Sequence, residues 1–137
     1  MKKFTRILAL ALVLSLSLLA LVSCDKSESI KKDFEDAGYT VSVISAKNET
    51  AEVIFTKLGY TEEEIDEIAE YELIYCVDGF FKSALIVKYS SAAELKDELV
   101  DDGSEAFYNE LKADGKINGN CRLLYAIGGA DEIFLGK

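Results

Sequence analysis

Glu72 to Tyr89 limits the fold of this chain more than any other stretch. Two apolar runs, Glu72 to Val77 and Phe80 to Tyr89, flank Asp78-Gly79. Asp-Gly between strand-forming runs is the strongest short-range signal for a β-hairpin. A two-residue turn sets Val77 against Phe80, Tyr75 against Lys82 and Leu73 against Ala84. One face then carries Ile74, Cys76, Phe81, Leu85, Val87 and Tyr89. The other carries Leu73, Tyr75, Val77, Phe80, Ala84 and Ile86, broken by Lys82 and Lys88. A strand with one wet face alternates apolar and polar residues, and this pair does not. The hairpin is either central and covered on both sides, or it exposes an aromatic patch.

The flanking segments supply helices and further strands. Ile30 to Gly38 has Ile30, Phe34 and Ala37 on one helical face and Gly38 as its stop. Val41, Val43 and Ile44 give Tyr39 to Ser45 the β-branched character of a strand. Glu49 to Leu58 reads as a helix closed by Gly59. Thr61 with Glu64, and Ser91 with Glu94, have the spacing of capping boxes that open helices. Ser104 to Ala113 is a further helix, ended by Gly115. Arg122 to Ile127 is a last strand, and Gly128-Gly129 leads into a terminal turn, Ala130 to Leu135. After the first short helix the order is βαββαβ. The expectation is therefore an α+β fold, a ferredoxin-like four-stranded antiparallel sheet with helices on one face.

The N-terminal part carries an export signal. Lys2, Lys3 and Arg6 precede the uncharged run Ile7 to Val22, and small residues follow; this is the anatomy of a secretory signal peptide. The run falls short of the roughly 20 residues of a comfortable spanning helix. Leu21-Val22-Ser23-Cys24 resembles the lipobox of bacterial lipoproteins. The resemblance implies cleavage before Cys24, a diacylglyceryl group on its sulfur carrying palmitate-type chains, and a lipid-anchored protein on the extracytoplasmic face of the cell membrane. The overall pattern also resembles small lipoproteins of clostridia-type bacteria, a likeness that brings no activity and no site residues. The expected division is a signal at residues 1–23, the lipidated Cys24 with a short polar tether to Ser29, and one α+β domain over residues 30–137.

Charge and composition remove several function classes. The first 23 residues hold three of the 15 basic residues and none of the 25 acids, leaving 12 basic and 25 acidic and a formal charge of −13. Nucleic acid is disfavoured, because its phosphates demand Lys and Arg. Adsorption to anionic lipid is disfavoured too, so the lipid on Cys24 must hold the domain at the membrane. The chain has no histidine, which removes Ser-His-Asp and Cys-His catalysis and imidazole zinc sites. Cys76 and Cys121 form no metal-binding spacing. Both fall on expected strands, where they share the core or pair as a disulfide.

The remaining candidates are weak in chemistry. The acids from Glu62 to Glu72 lack a calcium-loop pattern, and those in the first helical turn oppose the helix dipole. Asp101-Asp102-Gly103 reads as a turn or a ligand cluster. Gly128-Gly129 lacks the Lys and Ser or Thr of a phosphate loop. No cofactor or metal is expected. Tyr75 and Phe80 beside Lys82 form the candidate interaction patch, within a set that includes Tyr71, Phe81 and Tyr89. The functional expectation is a non-catalytic binding module with a membrane-proximal protein partner. A carboxylate-dependent enzyme acting on envelope glycan, or a structural envelope component, are the alternatives. Two carboxylates facing each other across a cleft would favour the enzyme.

Overall fold

A computed structural model describes residues 25–137; the expected signal peptide and Cys24 lie outside them. The hairpin is at the centre of the molecule. Its strands are β2 (Glu72–Asp78) and β3 (Lys82–Lys88). They are flanked by β1 (Thr40–Ile44) on one side, and by β5 (Cys121–Ile127) and the two-residue β4 (Ile117–Asn118) on the other. Among the described residues these five strands form one antiparallel sheet in the order β1-β2-β3-β5-β4. The mixed α+β class is as expected. Four strands become five, because β4 is too short to show a sequence period. Strands β1, β2 and β3 pair in sequence order and β5 then joins β3 with β4 outside it, all antiparallel, so the parallel crossing of a split βαβ unit is absent among the described residues.

The sheet is covered on both faces, which explains why both faces of the hairpin are apolar. Ile74, Cys76, Ala84, Ile86, Cys121 and Leu123 face the first helical layer. That layer is α1 (Ser27–Asp36), through Ile30 and Phe34, and α6 (Ala130–Phe134), through Ala130 and Phe134. Leu73, Leu85 and Val87 face a second layer. It consists of α2 (Glu49–Leu58), α3 (Glu62–Ile68), α4 (Ala92–Asp102) and α5 (Glu105–Ala113). Their contacts include Phe55, Ile68, Leu95 and Leu99. Helices on one face only is therefore corrected to helices on both.

The hairpin register also differs from the expected one. The loop has three residues, Gly79-Phe80-Phe81, and Val77 pairs with Ser83 rather than with Phe80. A shift of three is odd, so every β3 side chain changes face relative to β2. Ala84 and Ile86 join Ile74 and Cys76, while Leu85 and Val87 join Leu73. The physical reason is at the two ends of the pair. This register sets Asp78 against Lys82 and Glu72 against Lys88, two pairs of unlike charge directly across the ladder. A two-residue turn sets Glu72 against Leu85. In β5 a bulge at Leu124 lets both Leu124 and Tyr125 pack on the second layer while Leu123 and Ala126 face the first.

The segment from Asp25 to Ser29, expected as a tether, belongs to the folded domain. Ser27 is buried in the first turn of α1, and Asp25 Oδ1 accepts from the Ser27 backbone N–H at 3.0 Å and its hydroxyl at 2.7 Å. Asn120, 1% exposed, donates from Nδ2 to the Tyr89 carbonyl at 2.7 Å and to Asp25 Oδ1 at 3.3 Å. Its Oδ1 accepts from Lys26 N–H at 2.9 Å. Lys88 Nζ lies 3.4 Å from Asp25 Oδ2 and 3.5 Å from Glu72 Oε1. The chain after position 24 is clamped to the β3–β5 end of the sheet away from the hairpin tip.

Candidate functional site

A cleft of about 250 Å³ opens between the second helical layer and the sheet. It is built where three helices leave part of the sheet uncovered. Arg122 of β5, paired with Val87 across the ladder, points into the helical layer from the floor. Tyr71 and Tyr89, the residues just before β2 and just after β3, form one wall, their rings 4.4 Å apart. Tyr60, stacked on the buried Phe55 at 5.4 Å, and Phe107 of α5 complete the aromatic lining. Glu64 and Glu67 of α3 and Glu98 of α4 bring carboxylates to it from two elements.

The local chemistry of α3 and α4 follows from their caps. Glu64 Nα–H donates to Thr61 Oγ1 at 3.2 Å while Glu64 Oε1 accepts from Thr61 N–H at 2.8 Å, so the expected capping box is present. At α4 only half of the expected box forms. Ser91 Oγ accepts from Glu94 N–H at 3.1 Å, but the Glu94 carboxylate accepts from Ser90 N–H instead. Glu98 accepts the hydrogen bond of the Tyr71 hydroxyl, and burial together with the charges of Glu98 and Glu94 holds that phenol well above its usual range. The Tyr60 phenol is raised by burial and by Glu64, against the opposing pull of Arg122. Both phenols are thus neutral hydrogen-bonding groups at any physiological pH.

Arg122 is the unusual member. Its guanidinium carbon lies 5.9 Å from the Phe107 ring centre, within cation–π range. Its Nε is buried and has no hydrogen-bond partner among the described residues. Leaving a buried polar donor unmatched costs about 1–3 kcal/mol, more for a charged group, and native structures contain few such groups. The cleft is thus lined by one arginine, three glutamates and four aromatic rings around a space of small-ligand size, just below the range of ordinary ligand pockets.

The interaction patch expected from sequence is not assembled. Tyr75 is half-buried and packs in the second-layer core. Phe80 and Phe81 sit at the hairpin tip, 94% and 82% exposed, next to exposed Lys82. Cys76 and Cys121 share one core cluster as free, buried thiols. They stand opposite Ala84 and Lys88, on strands either side of β3. Sheet spacings then place their Cα atoms roughly 16 Å apart, beyond the roughly 7 Å limit of a disulfide. Burial pushes both thiols up to about 12, which suits packing and not nucleophilic attack. Gly128-Gly129 is the strand-to-helix turn, with Gly129 as the N-cap of α6. Among the described residues no group of three or more Cys, Asp and Glu is placed to hold a metal ion.

Tyr71 and Tyr89 were within reach of sequence reasoning; Arg122, Tyr60, Glu98 and Phe107 were not singled out. Arg122 had a readable signal. It is the sole arginine after the signal segment, in a chain where every other later cation is lysine, and it interrupts an apolar strand. Comparison with known proteins adds no relative: no family model, no curated protein and no solved structure matches this chain.

Proposed function

We propose that this protein is a lipid-anchored, extracytoplasmic binding module, held at the cell membrane through Cys24, whose aromatic cleft receives a small ligand. The observation that carries the reading is the lining of the cleft, which sets the guanidinium-bearing Arg122 among four aromatic rings and three carboxylates. The anchor rests on the lipobox and on signal anatomy. Two acyl chains on one cysteine suffice for stable attachment. Clamping of Asp25 then means that the domain stands on the membrane through the Lys88 end of its sheet, with little slack. The exposed Phe80-Phe81 tip lies about 20 Å further along β3, where a membrane-proximal protein partner would meet it.

A carboxylate-dependent glycan enzyme is the second reading, favoured by the presence of Glu64 and Glu67 on one side of the cleft and Glu98 on another element. Binding is placed first because Glu64 closes the α3 capping box and Glu98 holds the Tyr71 hydroxyl. Metabolic labelling with a clickable fatty acid tests the anchor. Label on the wild type and none on Cys24→Ser is expected; label persisting on Cys24→Ser overturns it.

A further inference from the structure

We infer that the cleft binds a small molecule bearing both a carboxylate and an ammonium group, with a basic amino acid as its best-fitting form. The inference rests on the cleft being a ligand site, as proposed above, and adds the chemistry of the ligand. Arg122 brings a guanidinium to the lining of the cleft. Guanidinium pairs best with planar carboxylate, through charge-assisted and often bidentate hydrogen bonds. The ligand carboxylate therefore belongs at the cleft floor, against Arg122.

The rest of the cleft asks for a cation. Glu64 and Glu98 flank the same space from α3 and α4. Each carboxylate offers about four acceptor sites, so one protein hydrogen bond apiece leaves capacity for a ligand ammonium. The faces of Tyr60, Tyr71 and Tyr89 add cation–π attraction and cover an aliphatic chain. Three glutamates against one arginine disfavour phosphate or a dicarboxylate, which carry only negative charge. A neutral sugar satisfies hydrogen bonds but brings neither a carboxylate for the guanidinium nor a cation for the glutamates. The size of the space suits one amino acid rather than an oligomer.

The same chemistry is offered by a free basic amino acid and by the C-terminal basic residue of a peptide, and titration calorimetry on the lipidated protein in detergent micelles separates them. L-lysine retains a free α-amine, and Nα-acetyl-L-lysine presents only the carboxylate and the side-chain ammonium. Saturable binding of one or both is expected, and the tighter of the two names the source. Cadaverine, which lacks the carboxylate, should bind at least tenfold more weakly. Arg122→Gln should weaken binding at least tenfold. Should that variant fail to fold, Glu98→Gln still accepts from Tyr71 and should weaken lysine several-fold while leaving hexanoate unchanged. Glucose or inorganic phosphate binding in place of lysine, and lost in Arg122→Gln, overturns the ligand class and leaves the cleft standing. Lysine binding unaltered by either variant overturns the site. No response to lysine, glucose or phosphate overturns both the ligand class and the cleft as a ligand site.

Discussion

Gly128 shows how one missing side chain sets the end of the sheet. Its φ is +71°, and a Cβ there would lie 2.2 Å from the Phe81 carbonyl oxygen, a backbone atom that cannot turn aside. Gly59, the C-cap of α2, has a similar φ of +77° but nothing within 4 Å of its Cβ position. The pair separates conformational cost from overlap. Gly59→Ala should destabilise by only about 1 kcal/mol, the ordinary penalty of a left-handed non-glycine residue. Gly128→Ala adds the collision and should lose roughly 2–4 kcal/mol. Urea unfolding of both variants checks this; equal losses would show that the hairpin loop yields to the new side chain. The register of the same hairpin was legible in residues of another kind. Lys82 and Lys88 each find an acid directly opposite only when the loop has three residues. The Asp-Gly turn signal is local and masked that match, which needs the whole length of both strands.

Among the elements, α3 is the least secured, and it carries one rim of the cleft. It has seven residues, of which Ile68 alone is buried. A helix that short is marginal without tertiary support, so its capping box and the exposed Lys47–Asp66 bridge at 2.7 Å contribute more than they would in a long helix. Thr61→Ala removes the acceptor for Glu64 N–H and should cost about 1 kcal/mol. Amide exchange across residues 62–68 should accelerate in that variant while β2 and β3 stay protected. Uniform acceleration through the sheet would instead mean that α3 is integral to the global fold. Helices and their caps were legible because turn chemistry and 3.6-residue periods are local. The cleft was not, because Tyr60, Tyr71, Tyr89, Phe107 and Arg122 come from five separate segments that only the sheet order brings together. Coverage of both sheet faces was half legible: the all-apolar hairpin demanded it or an exposed patch, and the structure contains both outcomes, a covered sheet and a bare Phe80-Phe81 tip.

At the scale of the whole molecule, the two ends of the sheet differ in kind. One ends in bare aromatic rings, and the other in the polar clamp that seizes the chain directly after Cys24. Asp25 is the hub of that clamp. Burial by itself raises its pKa, but hydrogen bonds from Ser27 and Asn120 and the charge of Lys88 outweigh it and bring the carboxyl down from 3.8 to about 2. A carboxyl whose folded pKa is depressed adds stability above its unfolded pKa and loses it as pH falls through the folded one. The clamp should therefore be intact above about pH 4 and released progressively towards pH 2. With the Asp25 side chain 34% exposed, solvent screening reduces the contribution to about 1–2 kcal/mol. Asp25→Asn keeps an acceptor for Ser27 but lacks the charge, so it should be less stable than wild type at pH 6 by that amount. The gap should narrow to a small fraction of that by pH 2, where the folded carboxyl, with its pKa of about 2, is about half protonated and the unfolded one nearly fully so. Comparing the two proteins at each pH cancels the other acids, which titrate alike in both. Thermal unfolding at pH 6, 4 and 2 measures the gap directly, and a difference that stays constant from pH 6 to 2 would show that Asp25 acts through shape alone and not through its charge.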